Sequence, residues 1–347
     1  MTYQRPNSAN DALRLHLNEN TAGCSPAVIA ALRTIDRDVI ALYPDYAPIT
    51  EECERWFGVA AGWVQLINGL DEGLHIVAQA ARARSPLVAD PEAVIVEPAF
   101  EMYVPCAEAA GLRVVRVPPQ RDFTFPIAPL LAAMTPATRL IYLTDPNNPT
   151  GLPIPPGAVE QIAEAAPDAV LLLDEAYSDF SGRTLIGAPL DRRRNLIVGR
   201  TFAKAHGLAG LRIGALIAHP DALAAIRRIL PPFSINVCAA IALEAALRDR
   251  PYLEWFVAQS VESRELIYDF CRRLSLQYWP SEANFVLVRV GPEAAAIVQE
   301  VAANGILLRD RSNQPGCDGC IRITAGVADH TRAAVTALEA AFASRRR

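Results

Sequence analysis

Residues 139–175 read RLIYLTDPNNPTGLPIPPGAVEQIAEAAPDAVLLLDE. Two apolar runs, RLIYLT (139–144) and AVLLLDE (169–175), enclose a turn-rich segment and a helix-like stretch, GAVEQIAEAA (157–166). Neither run alternates strictly with polar residues, which suits strands buried on both faces. Strand, helix and strand in that order make the repeating unit of a parallel sheet. The pattern continues on both sides. VQLI (64–67), AVIVE (93–97) and RVVRV (113–117) precede it, with the helix-like DEGLHIVAQAARAR (71–84) and FEMYVPCAEAAG (100–111) between them. NLIVGRT (195–201) and LRIGALIAH (211–219) follow it. The expected fold is α/β, with a mostly parallel sheet in a large domain.

After residue 235 the rhythm changes. Residues 241–274 read as helical, with Pro251 as a break. NFVLVRV (284–290), a helix near 292–303, GILLRD (305–310), CIRITAG (320–326) and a closing helix near 329–343 read as a smaller α+β unit. The expected division is an N-terminal arm with part of the small domain (1–38), a large domain (39–235) and a small C-terminal domain (236–347).

The chain has 347 residues, 51% hydrophobic and 20% charged, as expected of a packed globule. A net charge of −5 gives no electrostatic case for nucleic acid. No run of 18 apolar residues argues for a membrane span, and the first twenty residues lack the apolar core of a signal peptide. The seven cysteines are scattered and odd in number, which fits reduced thiols and a cytoplasmic setting. Cys317 and Cys320 form the one close pair, without the second pair or nearby histidines of a zinc site, so no metal is expected.

Of 33 basic residues, Lys204 is the single lysine. Arginine replaces lysine as a solvated charge but not as a nucleophilic amine. A site that must form a Schiff base needs the amine. Lys204 follows NLIVGRT, and other unusual polar residues also fall at strand ends, where open α/β sheets bind ligands. Asp174 closes AVLLLD, Asn148 follows RLIYLT, and Gly69, Leu70 and Asp71 follow VQLI and open a helix. Each has a task if the ligand is pyridoxal 5'-phosphate. The Gly69–Asp71 turn offers N–H groups to the phosphate, with Arg212 adding charge. Asp174 keeps the pyridine nitrogen protonated, Asn148 and Tyr177 hold the ring's 3-oxygen, and Phe100 stacks on its face. Structural explanations stand beside these: a carboxylate at a strand end caps helices, and DPNNPTG is a good turn by itself. GLAGLRIG lacks the spacing of a dinucleotide loop.

The segments NEN, YPDY, NGLDE, EPAFEMY, DPNNPTG, LLLDEAY, RTFAKAHGLAGLRIG, NFVLVR, GILLRD and CIRITAG come in the order and spacing of fold-type I aminotransferases. From about residue 14 to residue 340 the chain resembles the class I/II family, and most of all its histidinol-phosphate aminotransferase branch. The resemblance implies a Schiff base between Lys204 and pyridoxal phosphate, a phosphate site that includes Thr201, and a homodimer in which Tyr43 reaches the partner's cofactor. It implies that Arg322 clamps a substrate α-carboxylate and that Arg309 helps to bind a substrate phosphate. The implied reaction is transfer from an amino donor, first histidinol phosphate, to a 2-oxo acid such as 2-oxoglutarate, in amino acid biosynthesis. The chain departs from the pattern at Ala203, where serine is usual, at Leu70 and Phe100, and in NENTAG (18–23), which lacks the aromatic of NENPYG. An aromatic amino acid aminotransferase and a decarboxylase of phosphorylated amino acids, threonine-phosphate decarboxylase-like, stay open as alternatives. So do a nucleotide-binding dehydrogenase and a non-catalytic effector-sensing module.

Overall fold

The computed structural model describes residues 11–84 and 87–345. The first ten residues of the N-terminal arm and the last two arginines lie outside the described residues. The strands are β1 (Leu13–Arg14), β2 (Val64–Ile67), β3 (Glu92–Val96), β4 (Arg113–Val117), β5 (Thr138–Thr144), β6 (Val170–Asp174) and β7 (Leu196–Thr201), then β8 (Gly214–Ala218), β9 (Gln277–Tyr278), β10 (Phe285–Arg289), β11 (Ile306–Leu307), β12 (Arg309–Asp310) and β13 (Cys320–Thr324).

A seven-stranded sheet has the order β2-β8-β7-β6-β5-β3-β4. β4, β3, β5, β6 and β7 pair in parallel, and β8 alone is antiparallel, to both β7 and β2. β2 therefore points the same way as β7, and the carboxyl ends of β2, β3, β5, β6 and β7 share one rim. Strand order reverses between β3 and β5: the chain goes outward from β3 to β4, then returns to the other side of β3. Such a reversal opens a crevice at the rim.

The two faces of the sheet feed two cores. Ile141, Leu143, Leu171, Leu173 and Val198 enter one, and Leu140, Tyr142, Val170, Leu172 and Ile197 the other. This is why the apolar runs do not alternate: both faces are dry.

A four-stranded antiparallel sheet, β12-β13-β10-β9, and a parallel pair, β1-β11, surround a third core. The helix Val237–Arg248 packs Ala239, Leu243 and Leu247 into the first core of the large sheet. Pro251 does not interrupt a helix; it starts one, Arg250–Leu274. There Pro costs no hydrogen bond, and Asp249 caps the end by accepting from the Tyr252 N–H at 3.3 Å. This helix is about 37 Å long at 1.5 Å per residue. It sets Leu253 and Phe256 in a core of the large sheet and Ile267, Phe270 and Cys271 in that of the small one.

Candidate active site

Lys204 lies just beyond β7. Its ammonium donates to the Leu17 carbonyl at 3.0 Å. Poor solvation, and then the charge of Arg322, pull its pKa down to about 8; Glu19 and Asp71 oppose the shift and Arg212 adds to it. Those charges surround Lys204, although they come from distant parts of the chain.

Asp174 ends β6 and is buried. Its Oδ2 accepts from the Tyr103 hydroxyl at 2.8 Å and its Oδ1 from the Ala176 N–H at 2.9 Å. Burial nevertheless raises its pKa to about 6, against the pull of both hydrogen bonds and of Lys204. A carboxyl so placed gains a stable charge when a cation sits against it. Tyr103 also shares a hydrogen bond of 2.5 Å with Thr144 and stacks on Tyr142 at 4.8 Å. Phe100 meets Tyr103 edge-on at 5.8 Å.

The segment 16–20 crosses the site. The His16 carbonyl accepts from Arg322 at 2.8 Å, Asn18 donates to the Tyr177 hydroxyl at 3.0 Å, and Asn20 donates to the Ala205 carbonyl at 3.0 Å. Asn18 adopts φ 55°, a left-handed conformation that Asn tolerates better than most side chains. With Leu17 on Lys204, this strap ties the two sheets together over Lys204.

Arg322, on β13, is buried. It donates to Asn148 Oδ1 at 2.6 Å and lies 5.3 Å from the centre of the Phe285 ring. No carboxylate pairs with it among the described residues. Burial, and then the charge of Arg311, lower its pKa to about 9. Arg309, its register partner on β12, lies 3.5 Å from Glu101, and Arg311 lies 3.1 Å from the same carboxylate.

At the other end of the rim, Gly214 pairs with both Thr201 and Ile67 and draws the end of β7 to the start of the helix Leu70–Ala83. A Cβ on Gly214 would stand 2.8 Å from the Arg200 carbonyl oxygen and 3.2 Å from the Leu70 nitrogen. Gly69, at φ 76°, has the Arg212 guanidinium where a side chain would be, 2.5 Å from an added Cβ. Arg212 pairs with Asp71 at 3.1 Å. Leu70 packs its side chain down on Gly199 and so leaves its main chain at the rim. The first N–H groups of a helix have no intrahelical acceptor.

These residues fit pyridoxal phosphate. Gly69, Leu70, Asp71, Thr201 and Arg212 gather at the rim, where free N–H groups and a guanidinium suit a phosphate. Asp174 is a buried carboxyl that needs a cation, and Lys204 is an amine of depressed pKa. Tyr43 lies apart from them: it is 79% exposed and stacks on Phe233 at 4.2 Å. Sequence reasoning did not single out Asn18, Tyr103, Glu101 or Arg311. Arg311 had a signal, because it lies two residues from Arg309 in extended chain and so shares its face. Cys317 and Cys320 are both buried.

The family model for aminotransferase class I and II matches residues 10–342. The chain is similar to histidinol-phosphate aminotransferase 2 of Ralstonia nicotianae, 38% identical over 341 residues that cover 95% of this chain and 89% of that protein. It is similar to the histidinol-phosphate aminotransferase of Moorella thermoacetica, with 32% identity over 96% of this chain and 86% of that one. Among solved structures, the histidinol-phosphate aminotransferase of Sinorhizobium meliloti in complex with pyridoxal-5'-phosphate superposes with a TM-score of 0.84 at 28% identity, covering 96% of this chain and 91% of that one.

Proposed function

The chain belongs to the aminotransferase class I and II family, with its fold-type I architecture, and from that premise we propose that it transfers the amino group of L-histidinol phosphate to 2-oxoglutarate, with pyridoxal phosphate as carrier. One observation carries the reading. The chain's single lysine stands as a low-pKa amine among charges that include Asp174 and an arginine with no carboxylate partner among the described residues.

When bound, pyridoxal phosphate supplies an aldehyde that takes up amines and a ring that accepts the electrons of the breaking C–H bond. Asp174, itself held by Tyr103, would keep the ring nitrogen protonated. Asn148 and Tyr177 would bind the 3-oxygen, and Phe100 would cover the ring face. The Leu70 and Asp71 N–H groups, Thr201 and Arg212 would hold the phosphate. Lys204 would hold the cofactor through its amine and, when free, would act as the general base that moves the donor's α-proton. A pKa near 8 suits it, since a useful fraction is then uncharged at neutral pH. Arg322 clamps the acceptor's α-carboxylate and, with Arg309, the donor's phosphate.

A bulky aromatic amino acid is the second donor class. Thr21 stands where NENPYG would continue with Pro, and its hydroxyl is committed to the Val327 N–H at 2.9 Å. The working form is a cytoplasmic homodimer. Ile40, Leu42 and Tyr43 are 65%, 70% and 79% exposed, and Phe233 against Tyr43 is 51% exposed, an apolar patch suited to a second copy. No described helix is long and apolar enough to cross a membrane.

Single-turnover absorbance of the cofactor-loaded protein tests the reading. L-Histidinol phosphate should convert the cofactor to its aminated form, and 2-oxoglutarate should restore it with release of glutamate. If L-phenylalanine reacts and histidinol phosphate does not, the donor assignment fails. Carbon dioxide release from threonine phosphate without an acceptor would favour decarboxylation.

A further inference from the structure

Glu101 follows Phe100 in the loop after β3. Its Oε1 accepts from Arg311 at 3.1 Å and from the Gln314 side chain at 3.2 Å, and its Oε2 lies 3.5 Å from Arg309. Arg322 adds a third guanidinium that no carboxylate neutralises among the described residues. Three arginines thus share one carboxylate. Unfilled polar atoms occur in the same cluster: Nε of Arg311, Nε of Arg322 and both ring nitrogens of His16 are buried without a partner. The His16 ring is kept neutral by burial first, then by the charges of Arg14, Arg309 and Arg322. Surplus buried positive charge with idle donors is costly unless an anion arrives.

Glu101 and Arg311 differ in their freedom to leave. The Arg311 side chain is 3% exposed, and Glu101 is its one carboxylate partner among the described residues; the Glu101 side chain is 20% exposed. We propose that Glu101 is a displaceable counter-anion, and that the far carboxylate of a dicarboxylate substrate replaces it on Arg311 and Gln314 while the near carboxylate sits on Arg322. Only ion pairs and hydrogen bonds are exchanged. A donor without a second acid group leaves Glu101 in place, so one crevice receives two unlike partners in turn. This rests on the reading of a dicarboxylate acceptor given above.

Isothermal titration of the cofactor-loaded protein with glutarate and with butyrate, neither of which carries a carbonyl to react, tests the proposal. Wild type should prefer glutarate. Glu101→Gln removes the competing charge and should tighten glutarate about tenfold, the scale of one charge-assisted contact, with butyrate unchanged. Arg311→Gln should erase the preference for glutarate. Unchanged or weaker glutarate binding by Glu101→Gln, or a wild type that binds both acids alike, would overturn the proposal. If Glu101→Gln does not fold, Glu101→Ala, which also removes the charge, is read by the same criteria. The two readings fail separately. Tighter glutarate with no turnover of histidinol phosphate removes the donor assignment alone. Normal turnover with no tightening removes the role of Glu101 alone.

Discussion

Lys204 and Asp174 are held in opposite ways by burial. The folded protein keeps the Lys204 pKa near 8, below its ordinary 10.5. Between those values the unfolded chain binds a proton that the folded one does not, so raising the pH through this window stabilises the cofactor-free protein. Cofactor uptake should accelerate as pH rises to about 8 and then level off, which stopped-flow absorbance would show. Lys204→Arg should keep the fold, yield no borohydride-fixed pyridoxyl group by mass spectrometry, and lose about 10³-fold or more in transfer. For Asp174 the folded pKa is raised from 3.8 to about 6, so its contribution to stability declines as pH rises across that window. Asp174→Asn should therefore stabilise the cofactor-free protein by about 1–3 kcal/mol at pH 7 and still weaken cofactor binding, measured by urea unfolding and by fluorescence titration. Lys204, Asp174 and Asn148 could be picked out as candidates because they fall at strand ends of an α/β pattern, whereas Arg322, in the middle of β13, came only from the resemblance to a family. Tyr103, Asn18 and Glu101 were not legible. Their importance lies in contacts across 71, 159 and 210 positions of chain, and no local pattern encodes such contacts.

At the scale of elements, the reversed strand β8 positions the residues proposed to cradle the phosphate. Its first residue is pinched between β7 and β2, where only glycine fits. Gly214→Ala should cost about 1–3 kcal/mol by overpacking, visible in the urea midpoint, and should speed cofactor loss more than it lowers stability. Six of the seven strands of the large sheet were legible to within a residue, because buried parallel strands are short, apolar and bounded by turns, while LRIGALIAH begins three residues before β8. The direction of β8 was not, since an apolar run carries no arrow. Pro251 was legible as a boundary but not as a start, a distinction that depends on Asp249 being free to cap.

For the whole molecule, the exposed Ile40, Leu42, Tyr43 and Phe233 are the surface proposed to meet a second copy. Leu42→Arg should give monomers in sedimentation velocity, with a weakened cofactor site on each if Tyr43 completes the neighbour's cradle. Monomers that keep full cofactor affinity would remove Tyr43 from the site. The single lysine has a consequence of another kind. A lysine-specific endopeptidase has one peptide bond to cut, after Lys204, and that bond is covered in the native state. Digestion should leave the folded chain whole and split an opened one into residues 1–204 and 205–347, so proteolysis alone becomes a clean gauge of opening. With pyridoxal fixed on the amine, even the unfolded chain should resist.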